Sequence, residues 1–322
     1  MVEEYLISAA VLGLIALGAV LAWRVWPGPL ARVMIRFERT RCGRKSERCP
    51  IADIDWHVLT GGHGEPLILL HGFNADADHF NRAARHLTSH FRVIAPDLPG
   101  FGETRVGAMP DYRIEYMAAK VLALLDAMRI ERFYVGGNSM GGYLAVAVAH
   151  QAPARVRGLW LLAPGGLHSA PYSPLYEAVY AGHHNPLVVR DLRDFERLLD
   201  YCFVRPPYLP TPLKRYLARR AANSVSRAER VFADLRFRST PLEALASGLT
   251  VPALIVWGQA DQVLHPQGLN VLADRMSHAQ TLLLPATGHL PMLEKPRETA
   301  EAWLSFAESS ARQQVSLQDA SV

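Results

Sequence analysis

Cysteine is scarce in this chain of 322 residues: there are three, Cys42, Cys49 and Cys202. So few thiols exclude a disulfide framework, and no spacing among them matches a metal site. Cys42 and Cys49 lie near enough to pair in an oxidising compartment, while three free thiols is an equally good reading. A sustained surplus of one charge is also missing. The chain carries 34 basic and 30 acidic residues, of which eight and four fall within residues 1–48, leaving 26 of each in the remainder. A body so balanced presents no basic face, and no nucleic-acid partner is expected. Repeats and low-complexity segments are absent. With half the residues hydrophobic and a fifth charged, the composition is globular, and only the polar, unpatterned end at 311–322 suits a flexible tail.

The first fifty residues form a unit of their own. Residues 5–23 hold no charge, and at about 1.5 Å each they span the roughly 30 Å of a bilayer's hydrocarbon, as a transmembrane helix must. Trp23 and Trp26 stand where interfacial aromatics belong. Ala9 with Gly13 and Gly18 with Ala22 are small-residue pairs through which two helices can meet, so a homodimer through the anchor is one expectation. A cleaved signal peptide is the rival, but Glu3 and Glu4 make the start acidic and Arg24 follows the apolar run at once. Beyond Pro27-Gly28-Pro29, Leu30, Val33, Met34 and Phe37 recur at helical spacing with Arg32, Arg36 and Arg39 between them. We expect this segment to lie on the bilayer surface in preference to packing on the body. The eight basic residues would meet anionic headgroups and, by the positive-inside rule, hold the body of a single-pass membrane protein on the cytoplasmic side.

From residue 51 the pattern changes. Short apolar runs at 54–59, 66–70, 91–95, 133–136 and 158–163 alternate with helical periodicity at 113–128 and 144–150, which predicts a mostly parallel sheet with helices on both faces. The alternation lapses after Pro164, where tyrosines and phenylalanines gather among prolines and arginines, and resumes with 253–257, 266–276, 281–284 and 298–309. The expected organisation is therefore an anchor and linker at 1–50, an α/β core at 51–164 and 250–310, and a helical cap at 165–249 above the sheet's C-terminal edge.

The chemistry centres on Gly137-Asn138-Ser139-Met140-Gly141, a Gly-x-Ser-x-Gly between a strand and a helix. That turn exposes the Ser139 hydroxyl and leaves the Met140 amide at a helix N-terminus. A serine nucleophile needs a base, and the base needs a group that holds its tautomer. Asp261 follows the strand ending at Trp257, and His289 follows the strand ending at Leu284. The order Ser139, Asp261, His289 places each one loop beyond a strand, where open α/β sheets put their ligands. Asp97 also follows a strand but precedes the serine, and a structural role is expected for it. The loop His71-Gly72-Phe73-Asn74 should bring the Phe73 amide beside that of Met140 as a second oxyanion donor, with His71 bracing the loop.

His71-Gly72-Phe73, Asp97-Leu98-Pro99-Gly100-Phe101-Gly102, the serine turn, Trp257-Gly258-Gln259-Ala260-Asp261 and Gly288-His289 together resemble the α/β-hydrolase superfamily, over roughly residues 56–306. With the apolar N-terminus, the chain is similar to bacterial membrane-anchored lipases, in particular the Pseudomonas inner-membrane phospholipase A group, and to membrane-bound monoacylglycerol lipases. That resemblance implies a long-chain carboxylester substrate, a fatty acid product, no cofactor or metal, dimerisation through the anchor, and a catalytic domain in the periplasm, against the charge rule above. Carbon–carbon hydrolases of ring-cleavage products share the serine turn and are the enzymatic alternative, although Asn74-Ala75 and Leu290 stand where they usually carry other residues. A non-catalytic membrane protein that binds a ligand on the same fold is the alternative from another class.

Overall fold

The computed structural model describes residues 27–107 and 111–319, with isolated positions between 5 and 18. The candidate span at 5–23 and the dimer contact expected of it lie largely outside the described residues, among which no helix is long and apolar enough to cross a membrane.

The first element described without a break is helix α1 (Pro27–Arg41), followed by an antiparallel hairpin of β1 (Lys45–Ile51) and β2 (Ile54–Gly61). Strand β1 corrects the expected boundary: the body begins at Lys45, and the charges of β1 belong to an edge strand. The remaining strands are β3 (Glu65–Leu70), β4 (Phe91–Pro96), the two-residue β5 (Arg105–Val106), β6 (Phe133–Asn138), β7 (Val156–Leu162), β8 (Ala253–Gly258) and β9 (Ala279–Leu284). The sheet order is β1-β2-β4-β3-β6-β7-β8-β9, with β5 paired to β2; from β4 to β9 every pairing is parallel. Strands buried on both faces need apolar residues at every position, and β3, β6 and β8 read Leu-Ile-Leu-Leu, Phe-Tyr-Val-Gly-Gly and Ala-Leu-Ile-Val-Trp accordingly. Helices α2 (Ile114–Ala127) and α3 (Met140–Gln151) pack together on one face. On the other face a core of Tyr134, Trp160, Phe306 and Trp303 is closed by the final helix, Pro296–Asp319, which runs through most of the segment expected to be a flexible tail.

Between β7 and β8 the chain forms the helical cap: α4 (Pro174–Tyr180), α5 (Leu192–Cys202), α6 (Thr211–Ala222), α7 (Val225–Ala233), a π-helical turn at Asp234–Arg238, and α8 (Leu242–Ala246). Helix α1 packs on α6, so its expected place on a bilayer surface is corrected in part. Ala31 is fully buried, and Arg39 makes two 2.7 Å hydrogen bonds to the Asp78 carboxylate, while Val33 and Phe37 are each 63% exposed. The same periodicity that suits a membrane surface suits a protein surface, and here α6 meets one side of the helix. Three of the basic residues also find partners in the body. Arg44 is buried and donates to the Leu59 carbonyl at 2.7 Å, and Arg48 pairs with Asp55 at 3.2 Å. Arg32, Arg36, Arg41 and Lys45 of the same cluster are exposed. All three cysteines are free thiols, so the Cys42–Cys49 pairing is not formed.

Candidate active site

Ser139 sits between β6 and α3 with φ 56° and ψ −118°, a left-handed conformation that costs a non-glycine residue on the order of 1–3 kcal/mol. The surroundings impose it. A Cβ at Gly137 would overlap the backbone of Gly141, and one at Gly141 would overlap the carbonyl of Leu70, so β6, α3 and β3 meet only because both positions are bare. Met140 opens α3, where amides have no intrahelical acceptor. The loop after β3 comes equally close: a Cβ on Gly72 would stand 3.4 Å from the Ser139 Cβ. Phe73, next in that loop, lines the same cavities as Ser139.

Asp261 and His289 come together as their strand-end positions require. His289 Nδ1 donates to Asp261 Oδ2 at 2.8 Å, and the other carboxylate oxygen accepts from the amides of Val263 at 2.8 Å and Leu264 at 3.0 Å. Both residues are buried. With its Nδ1 proton directed at the carboxylate, the imidazole carries its lone pair on Nε2, and His289 lines the cavity that Ser139 also lines. Asp97, the rival carboxylate, is engaged elsewhere. Its Oδ2 lies 2.7 Å from His57 Nδ1 and accepts from the Glu103 amide at 2.6 Å, and its Oδ1 accepts from the Ala77 amide at 2.8 Å. His71 is the brace expected: fully buried, it donates from Nδ1 to the Gly72 carbonyl at 2.8 Å and accepts the Leu98 amide on Nε2 at 2.9 Å. Burial pushes its pKa down, which preserves the neutral ring this pattern needs.

Two residues of the site escaped the sequence reading. Asn138 is buried at the end of β6, and its amide donates to the carbonyls of Leu162 and His289, both at 3.0 Å, joining the serine turn to the histidine loop across 151 positions of sequence. The only signal was a polar residue ending an apolar strand. Glu294 accepts the Gly288 amide at 2.6 Å on one oxygen and the amides of Val204 and Arg205 at 3.0 Å on the other. The carbonyl of Cys202, the last residue of α5, accepts the His289 amide at 2.8 Å. The cap is therefore hydrogen-bonded directly to the loop that carries His289, and nothing in the spacing of Glu294 announces this.

Two cavities meet at Ser139, Phe73 and Leu187. The larger, about 260 Å³, runs beneath α5 and α6 along Phe195, Leu198, Leu199, Phe203, Leu213 and Leu217, and reaches Ile35 of α1. The smaller, about 100 Å³, lies under α4 and the π-helical turn and is walled by Tyr172, Tyr176, Phe232 and Trp257. A hydroxyl on a strained turn, an imidazole aligned by a carboxylate and amides at a helix N-terminus are the parts from which acyl transfer can be built.

Comparison with known proteins agrees with this architecture. Lipase 1 of Psychrobacter immobilis is 32% identical over 278 residues, 85% of this chain and 87% of that one. Monoacylglycerol lipase ABHD6 of Mus musculus is 24% identical over 96% of both chains. A solved structure described as a membrane phospholipase A, a bacterial virulence factor, superposes with a TM-score of 0.86 at 34% identity, covering 96% of this chain and 99% of that one. The family model described as the alpha/beta hydrolase fold matches residues 65–296, and the chain belongs to that family.

Proposed function

We propose that this protein is a membrane-tethered serine hydrolase that releases fatty acids from lipid esters through an acyl-enzyme. His289 Nε2 takes the proton of Ser139 as Oγ attacks the ester carbonyl, and Asp261 holds the imidazole in the required tautomer and stabilises its charged form. The Phe73 and Met140 amides receive the oxyanion. Collapse of the tetrahedral intermediate returns the proton from His289 to the departing alcohol, and a water activated by the same nitrogen then releases the acid. The observation that carries the reading is that His289, held 2.8 Å from Asp261, lines the same cavity as Ser139. Support for a lipid comes from the apolar lining of the larger cavity, which suits an acyl chain, and from the lipases and phospholipase that the chain resembles. Support for the tether comes from residues 5–23, whose apolar run leads directly to α1 and to the cavity that Ile35 lines.

The test compares wild type with Ser139→Ala on short-chain nitrophenyl esters, mixed lipids and a ring-cleavage product. Loss of turnover on the order of 10⁴-fold is expected, together with loss of fluorophosphonate labelling. Equal activity of the two proteins overturns the mechanism, and turnover of the ring-cleavage product in place of lipid favours the carbon–carbon reading. A full-length protein that stays in the soluble fraction after detergent-free lysis overturns the tether.

A further inference from the structure

Away from Ser139 the molecule links a second serine, histidine and carboxylate by hydrogen bonds. Asp97 and His57 are each 1% exposed, and His57 Nδ1 lies 2.7 Å from Asp97 Oδ2. Asp97 also accepts the amides of Ala77 and Glu103, so its carboxylate is committed to accepting and the His57 proton belongs on Nδ1. Nε2 then carries the lone pair, and the Ser46 hydroxyl, 2.8 Å away, donates to it. Ser46 lies in β1 at the edge of the sheet and is exposed, while the imidazole behind it is shut away from water. Glu103 Oε1, which Arg39 holds at 3.1 Å, stands 4.0 Å from Nε2, near enough to steady the imidazolium that forms when Ser46 gives up its proton.

We propose that Ser46 is a second nucleophilic serine, with His57 as its base and Asp97 as the group that orients the base, and that it takes the acyl group of small activated esters. Ser46 Oγ bonds to the ester carbonyl carbon as its proton passes to His57 Nε2. When the tetrahedral intermediate collapses, the bond from that carbon to the leaving oxygen breaks, and the alcohol departs with the proton from Nε2. Ser46 lines neither of the cavities at Ser139, so it meets acyl donors from solvent and has no tunnel for a long chain. It lies within a strand, whereas Ser139 is followed by the first residue of a helix, so Ser46 has no counterpart of the Met140 amide. Acylation there is slower than at Ser139, and the acyl group stays once attached. The result is a stoichiometric modification of the edge strand and adds no turnover. None of this rests on the lipid-ester reading.

The experiment incubates the full-length Ser139→Ala protein with 4-nitrophenyl acetate and follows acetylation by tandem mass spectrometry of chymotryptic peptides, which resolves Ser46 from Lys45. Ser46 should gain an acetyl group about 10²-fold faster than the exposed serines Ser247 and Ser277, the least that a positioned general base supplies. In unfolding urea that advantage should vanish, because the imidazole is no longer held at the hydroxyl. His57→Gln, shown by its melting curve to be folded, should bring Ser46 down to the rate of the other two serines. A hydrogen bond that only trims the edge strand predicts none of these differences. Acetylation of native Ser46 no faster than that of Ser247 or Ser277, or equally fast in urea, overturns the inference, as does a folded His57→Gln protein that keeps the full rate. Ser139 is alanine throughout, so each of those failures leaves the hydrolase reading standing.

Discussion

Replacing Asn138 by alanine tests whether the serine turn and the histidine loop are held as one unit. The side-chain amide is buried and donates to two carbonyls at 3.0 Å. The two losses are unequal. The Leu162 carbonyl also accepts the Ser139 amide at 3.0 Å, so it keeps one partner and its loss is about 1 kcal/mol. The His289 carbonyl loses a donor inside the fold, which costs about 1–3 kcal/mol. The sum is about 2–4 kcal/mol, or roughly 4–8 °C in Tm at about 2 °C per kcal/mol for a domain of this size. Because the bond to His289 positions the base without touching the ester, kcat should fall about tenfold or more while KM on a short-chain nitrophenyl ester changes little. Thermal unfolding followed by circular dichroism, with steady-state kinetics below the transition, measures both. A Tm within about 1 °C of wild type, or a lowered Tm with unchanged kcat, refutes the argument that this amide ties the two loops together.

Two further outcomes follow from the same geometry. Asp261→Asn keeps the oxygen that accepts from Val263 and Leu264 and replaces the one that receives the His289 proton with a donor, so the imidazole is driven to the wrong tautomer. Turnover should drop by about 10³- to 10⁴-fold with Tm nearly unchanged, as steady-state kinetics and a melting curve will show. Burial pushes the pKa of His79 down to about 4, so between the ordinary histidine value and pH 4 the unfolded chain binds a proton that the folded protein does not. Stability should therefore fall as pH drops through that window, by about 3 kcal/mol at most for this group, with His71 acting in the same direction. Urea midpoints at a series of pH values measure the slope, and His79→Asn should flatten it.

The elements that residue patterns made legible are those whose burial imposes a period. Strands β3, β6, β7 and β8 are covered on both faces, and continuous apolar runs betray such strands whatever surrounds them. Strand β1 was hidden for the complementary reason: an edge strand with four exposed residues at its start carries no alternation, and Lys45, Glu47 and Arg48 look like a charged linker until β2 is seen beside them. Helix α1 was visible as a helix, but an amphipathic period states only that one side is apolar. Whether a bilayer or α6 meets that side is decided by what the rest of the chain places there.

The sequence by itself determined the local chemistry: the Gly-x-Ser-x-Gly turn, the strand-end positions of Asp261 and His289, and the loop that carries Phe73. Each follows from a residue type and its nearest neighbours along the chain. Only the tertiary structure decided that Asn138 and Glu294 bind the histidine loop to the serine turn and the cap, and that two cavities part at Ser139. These depend on contacts between segments up to 151 residues apart, and no local pattern encodes which distant carbonyl a buried amide will reach.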